Sequence, residues 1–402
     1  MLNIPHYLQE DDYLQIPIIK RFVKENGIQS QDTKADYINS ITEFANKNEQ
    51  NEQLVEKWLI KIAKEGTKEI CYKKVHNIPE IYKNVDILRN KIMESYPNCP
   101  NKNIVNYNNT EISTMIGYEI ISENGEASRI ILTYSSFFLK GKTGEWGEVT
   151  IYPVYIEVYL KEGFVVSRAK AKSTLYKYDD DNRYLIPDNR IDTMGLAMEL
   201  IDEIIDKLGI ESEHSPICEQ NAVEQMLFNL YQHYSFTPSD VEESVNSQEQ
   251  SIETFINSLF SNLGLDIANK PNALIDAKIL AEKYISINGD NEEIFKKDRQ
   301  AYLIKITSDD DLALTKIDTS SQRMIPLQCT EAFFDSKKSV VSSKKCKRLN
   351  LVFKREENKY FPTSNQLVVH LGVTNCHGYI KTMQYAEEAD IQNVLQAVFE
   401  NY

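Results

Sequence analysis

Near the amino end, Ile18, Ile19, Phe22 and Val23 recur at helical spacing until Gly27 interrupts them. Ile28 opens a short extended link, and Thr33 stands as an N-cap before Lys34. A second helix follows, with Tyr37, Ile38 and Ile41 on one face. Residues 51–64, with Leu54, Trp58 and Ile62 on one face, and residues 78–95 continue the helical texture. Pro97, Pro100 and the Asn-rich run 101–109 mark a boundary.

From 116 to 178 the pattern changes to strands. Stretches 130–134, 150–160 and 164–172 are β-branched and aromatic with polar alternation. A two-residue turn at Glu162-Gly163 sets Tyr155 opposite Lys170, Glu157 opposite Arg168 and Tyr159 opposite Val166. The other face pairs Val154, Ile156, Val158 and Leu160 with Ala171, Ala169, Ser167 and Val165. An apolar face needs cover, and residues 191–208, with Met194, Leu196, Ala197, Leu200, Ile204 and Ile205, supply a helix for it. Residues 213–300 return to helix at 222–231 and 252–263. The latter places Ile252, Phe255, Ile256, Leu259, Phe260 and Leu263 on one stripe, with Gly264 as a stop. The Ser/Glu-rich stretch 238–250 between them reads as a mobile linker. Strands recur at 301–306, 312–317, 349–353 and 366–371, and a helix at 389–399 follows.

The pattern predicts an α+β multidomain chain. A helical hairpin spans 1–48 and a helical connector 49–100. An α+β domain with antiparallel hairpins spans 101–212, an acidic helical segment 213–300, and a C-terminal α+β domain 301–402.

The apolar and basic first helix, the Gly27-Ile28 pair and Thr33-Lys34-Ala35-Asp36 opening the second helix together resemble the SAP family of small DNA-binding modules. The resemblance covers residues 13–47. It implies a helix–extension–helix fold whose contacts go mainly to phosphates, from Lys20, Arg21 and Lys24 on the first helix and Lys34 at the start of the second. The amide donors at the second helix N-terminus add an anion site, weakened by Asp32 and Asp36. Phosphate contacts position a protein without reading sequence, so attachment to double-stranded DNA is expected to be salt-sensitive and poorly sequence-specific.

Charge narrows where that attachment sits. The chain of 402 residues has a net charge of −15. Residues 13–94 hold 14 Lys/Arg against 12 Asp/Glu, leaving 31 against 48 elsewhere. Between Lys207 and Lys270 there are ten acidic residues and no Lys or Arg. Such a segment repels a phosphate backbone and suits a protein partner or self-assembly. A hydrophobic content of 42% excludes wholesale disorder. No apolar run of about 18 residues provides a membrane span. The start, MLNIPHYLQEDD, lacks the apolar core of a secretory signal. Six scattered cysteines read as reduced thiols of a cytoplasmic protein. The richness in Lys, Ile and Asn resembles AT-rich bacterial or phage coding.

Two further constellations bear on nucleic acid. Tyr155, Tyr159, Arg168, Lys170 and Lys172 share the outer face of the hairpin, where an open sheet stacks bases and neutralises phosphates. The simpler reading is a solvated strand face with a Glu157–Arg168 cross-strand pair. Lys337, Lys338, Lys344, Lys345, Lys347 and Arg348, with Lys354 and Arg355 beyond, read as a Ser-interleaved loop within reach of phosphates, or as an ordinary solvated charge run. His214/Cys218 and Cys376-His377 near His370 fall short of a zinc pattern. The runs 179–181 and 309–311 are solvated acidic turns by default. Asp276/Lys278 in a helix and Asp335/Lys337 in the basic loop lack the hairpin context of a nuclease site. Phosphate-cradling and nucleophile-elbow motifs are absent, so no cofactor or metal is expected. The expectation is a non-catalytic DNA-binding protein, with a setting in phage defence or mobile-element biology. The alternatives are a divergent metal-dependent nuclease and an interaction scaffold without nucleic acid.

Overall fold

The computed structural model of the chain describes residues 2–107, 114–179, 183–212, 216–288, 292–310, 315–321, 324–355, 358–362 and 365–402. In chain order the elements are α1 (Ile16–Glu25), α2 (Lys34–Ala45), α3 (Glu49–Lys64), β1 (Glu69–Asn77), α4 (Val85–Ser95), β2 (Thr114–Glu123), β3 (Glu126–Lys140), β4 (Glu148–Tyr159), β5 (Phe164–Ala169), β6 (Leu175–Lys177), α5 (Thr193–Leu208) and β7 (Glu211–Ser212). Then come α6 (Pro216–Tyr234), α7 (Ser239–Ser247), α8 (Glu249–Leu263), α9 (Lys270–Ile287), α10 (Glu292–Lys296), β8 (Ala301–Asp310), β9 (Thr315–Ser320), α11 (Glu331–Ser343), β10 (Arg348–Lys354), β11 (Gln366–Thr374), β12 (His377–Thr382) and α12 (Glu388–Asn401). The fold is α+β with antiparallel pairing, as the pattern predicts. No helix among the described residues is long and apolar enough to cross a membrane.

The five sequence segments map onto two compact units. The first comprises Met1–Gln220, Arg355–Leu367 and Thr374–Phe399, and the second Asn221–Lys354, Val368–Val373 and Glu400–Tyr402. The helical hairpin and the connector therefore share a unit with the middle α+β segment, and residues 301–402 are divided between the units.

In the first unit, α1 closes as the sequence demands. Ile28 N donates to the Val23 carbonyl (3.0 Å), and Gly27 N donates to that of Lys24 (3.4 Å). Together these form a Schellman cap, which needs Gly27 at its left-handed φ of +63°. Thr33 Oγ1 accepts from Asp36 N (3.2 Å) and starts α2. Asn48 accepts from Asn51 N (2.8 Å) and starts α3. Phe22 stacks on Trp58 with ring centroids 4.0 Å apart, so the three helices share one core. That core continues into Ile131 and Tyr155, which places the helices on one face of a sheet.

That sheet runs β2-β3-β4-β5-β1-β12, with β6 beside β3 and β7 beside β1. Across β4 and β5, Tyr155 pairs with Arg168, Glu157 with Val166 and Tyr159 with Phe164. The register is displaced by two residues from the expected one, because the turn takes 160–163 rather than Glu162-Gly163 alone. A displacement of two keeps every side chain on its expected face. On the apolar face, α5 packs Ala197, Leu200, Ile201 and Ile204 with Val154, Ile156, Val158 and Val165. One strand has no counterpart in the expected helical connector. β1 lies between β5 and β12. Its Ile70, Cys71 and Tyr72 are fully buried, but the run is short and its partners are distant in sequence.

The second unit carries strands in the order β11-β10-β8-β9. Two stretches read as loops are helices. Residues 239–247 form α7 rather than a mobile linker, and 331–343 form α11 rather than a strand-to-strand loop. Arg299 Nη1 donates to the Tyr234 carbonyl (2.9 Å) and to Gln328 Oε1 (2.8 Å), so it ties down the C-terminal end of α6.

Candidate nucleic-acid interface

The N-terminal helices divide cleanly by face. Ile18, Ile19, Phe22 and Val23 are buried, and Lys20, Arg21 and Lys24 occupy the opposite side of α1. Lys20 and Lys24, at i and i+4, are exposed and pair with no carboxylate among the described residues. Arg21 is half occupied. Its Nε meets Glu25 Oε1 at 2.7 Å, and its Nη1 donates to the Lys359 carbonyl at 2.6 Å. That second bond brings exposed Lys359 beside the helix, although it lies 338 positions away. Lys34 is tied to Asp11 (2.6 Å) and contributes less cationic field than its place at the start of α2 implies. The anionic neighbours are Glu25 and Glu387, whose Oε1 accepts from Lys359 N (2.7 Å).

The hairpin face is a correction. Tyr155, Arg168, Lys170 and Lys172 are all buried, so this face is neither an open stacking platform nor a solvated surface. The reason is that α1–α3 and the segment around Tyr13 cover one part of it, and α12 covers the Tyr159–Arg168 part through Glu388, Gln392 and Phe399. Tyr155 lies in the shared core, with Lys64 Nζ 5.4 Å from its ring centroid. Arg168, at 0% exposure, donates to Glu157 Oε2 (3.0 Å) and to Glu388 Oε2 and Oε1 (2.6 and 3.1 Å). Burial opposes the guanidinium charge, but Glu157 and Glu388 outweigh it and hold its pKa above the ordinary value. The network extends through Tyr159, which donates to Glu157 (2.7 Å), and Arg129, which pairs with Glu157 at 3.3 Å. Lys170 Nζ sits 4.6 Å from the Tyr13 ring centroid. Burial lowers its pKa to about 8, against the pull of Asp12 and Glu10 and with the push of Lys172. Lys172 pairs with Glu10 (2.7 Å) and Asp12 (3.2 Å). This is an internal charge network, unavailable to a polyanion.

The C-terminal cations are also dispersed. On α11, Lys337 pairs with Glu282 (2.7 Å) and Lys338 with Asp276 (2.9 Å). Lys344 caps that helix at φ +53° and is exposed. Lys345 donates to Asn221 Oδ1 (3.0 Å), Lys347 is half-buried, and Arg348 begins β10 exposed. These residues form a helix end and a strand start, not a flexible phosphate-reaching loop. His214, the Cys218 side chain, Asp180, Asp181, Asp311 and the side chains of Asp309 and Asp310 lie outside the described residues. Among the described residues no group of three or more His, Cys, Asp or Glu is placed to hold a metal. Asp276 and Lys278 lie on α9, with Lys278 paired to Glu249 (2.5 Å).

A cleft of about 560 Å³ opens at the start of α5, lined by Glu69, Lys172, Arg190, Asp192, Thr193 and Lys381 among others. Its groups serve one another. Lys381 pairs with Glu69 (2.7 Å), Thr193 donates to Glu69 (3.1 Å), and Asp192 caps α5 by accepting from Met194 N (3.1 Å). Arg190 is exposed and meets no carboxylate among the described residues. The cleft therefore offers one spare cation rather than an acid–base pair.

The cations gathered on one face of α1 are thus Lys20, Arg21, Lys24 and Lys359, while Lys344 and Arg348 are exposed elsewhere. The first three of these four were expected from the sequence. Lys359 was missed because only the fold places it beside α1. No protein-family model matches the chain, and no curated protein matches it.

Proposed function

We propose that the protein is a non-catalytic DNA-binding protein that attaches to double-stranded DNA through α1 of its helix–extension–helix, with the acidic helices left for a protein partner. The observation that carries this reading is the one-sided placement of exposed Lys20 and Lys24, joined by Arg21 and Lys359, opposite a fully buried apolar face. The Schellman cap at Gly27 ends α1 and the Thr33 N-cap starts α2, local features that support the reading from the SAP resemblance. Four cations support weak, sequence-tolerant contact. About three or four phosphate contacts give a log–log salt slope near −3, within the ordinary range of non-specific binding. The exposed apolar faces of α8 and α9 favour the protein-partner half of the reading.

Electrophoretic mobility shifts on duplex DNA at two salt concentrations test the DNA half. The Lys20→Glu/Lys24→Glu variant is expected to bind at least tenfold more weakly and to flatten the salt slope by about 2. Lys34→Glu should have a smaller effect, because Asp11 already occupies that ammonium. A folded double variant that shifts DNA like the parent removes the reading.

A further inference from the structure

α8 presents one apolar stripe, but only half of it is covered. Ile256 and Phe260 are buried. In the neighbouring row Phe255, Leu259, Leu263, spaced i, i+4, i+8, the two ends face outward, with Phe255 62% and Leu263 64% exposed, and Leu259 is half-buried. α9 has apolar residues in every direction, a composition suited to a helix covered on more than one side. Even so, Ile275, Leu280 and Tyr284 are each more than half exposed. Beside them, a groove of about 540 Å³ is lined by Phe236, Val245, Ile275 and Ile279, with Glu242, Glu282 and Lys278 as its charged groups. Exposed apolar surface in this concentration marks an interaction site.

Charge selects the occupant. α7, α8 and the turn after them carry Asp240, Glu242, Glu243, Glu249, Glu253 and Asp266 and no Lys or Arg, whereas α9 begins at Lys270. The neighbouring lysines are already committed, Lys278 to Glu249 (2.5 Å), Lys337 to Glu282 (2.7 Å), Lys338 to Asp276 (2.9 Å) and Lys283 to Asp335 (2.9 Å). This leaves Asp240, Glu242, Glu243 and Glu253 with no Lys or Arg ion partner among the described residues. A second copy would set acid against acid, and a phosphate backbone would be repelled. We infer that α7–α9 form a docking surface for a basic amphipathic helix of another protein, whose apolar row seats on α8 and α9 while its Lys/Arg flanks meet Glu and Asp. The inference deepens the protein-partner half of the proposed function and rests on it. It is independent of DNA attachment.

The test uses the full chain and two labelled synthetic peptides of about 18 residues, long enough to hold a helix. One is built from Leu and Lys at amphipathic spacing, and the other has Glu in place of Lys. Fluorescence anisotropy is expected to show the Lys peptide binding at least tenfold more tightly than the Glu peptide. Phe255→Ser/Leu263→Ser should weaken the Lys peptide by tenfold or more with an unchanged melting temperature. The Lys20→Glu/Lys24→Glu variant should bind the peptide like the parent, which separates failure here from failure of the DNA reading. Equal binding of both peptides, binding indifferent to Phe255→Ser/Leu263→Ser, or no binding of either peptide overturns the inference. Light scattering that shows a dimer abolished by those substitutions also overturns it, by assigning the surface to a second copy.

Discussion

α5 and α8 begin from nearly the same pattern and end differently. Each carries an apolar stripe, and each stops on a left-handed glycine, Gly209 at φ 64° and Gly264 at φ 60°. α5 buries eight residues, from Thr193 to Leu208, whereas α8 buries two. α5 has a sheet beneath it, with Val154, Ile156 and Val165 meeting its stripe. α8 packs beside α7 and α9 and has no sheet beneath its stripe among its main contacts in the described residues. Periodicity states which side of a helix requires cover. What provides that cover is decided by the fold, or by another molecule.

Cutting the same amount of side chain from each helix should cost very different amounts of stability. Ile204→Ala, at a site with no exposure, is expected to cost about 2–5 kcal/mol in denaturant unfolding through cavity formation. The covered side also holds charge, with Lys170 as the next lever. Its ammonium is disfavoured in the fold, so the unfolded chain binds more protons between pH 8 and 10.5. This group's contribution to stability therefore rises with pH across that window and is lost as pH falls through it. Lys170→Met should stabilise by up to about 3 kcal/mol near pH 7.5 and by progressively less towards pH 10. A constant difference between parent and variant across that range would contradict the burial assigned to it. Gly209→Ala and Gly264→Ala provide an internal control. A Cβ at either site meets nothing within 4 Å, so both should cost the same, about 1–2 kcal/mol for the left-handed backbone. The smallest effect belongs to Leu263→Ala, within about 0.5 kcal/mol of the parent, because its side chain has little to lose without a partner. A loss matching that of Ile204→Ala would erase the distinction between the two helices.

Much of the local structure is legible in the sequence because short-range chemistry specifies it. Gly27 and Thr33 bound the first two helices, face parity in β4 and β5 follows from alternation, and residues 191–208 read as the covering helix. The features that were missed depend on distant partners or weak propensity. β1 contains Lys73-Lys74 and looks like a connector until β5 and β12 flank it. α7 and α11 are rich in Ser, which favours turns in isolation, and pairing such as Lys337 to Glu282 helps hold α11 in place. The β4–β5 face looked open because alternation locates a face without saying what lies over it. Glu157 and Arg168 do meet there, but as the buried centre of a network that includes Glu388. Lys359 joined the cationic set only through a bond to Arg21.

The central position of β1 shapes how the chain is made. Glu69 and Lys381, which pair where β1 meets β12, are 312 positions apart. At a synthesis rate of about 5–20 residues per second, one side of β1 waits on the order of 15–60 s for its neighbour. Throughout that interval the nascent chain carries an unpaired strand margin, which invites stray association with other polypeptides. Lys73-Lys74, placed midway along the strand, suits that interval, since adjacent ammonium groups discourage a foreign strand from zipping on before the native one arrives.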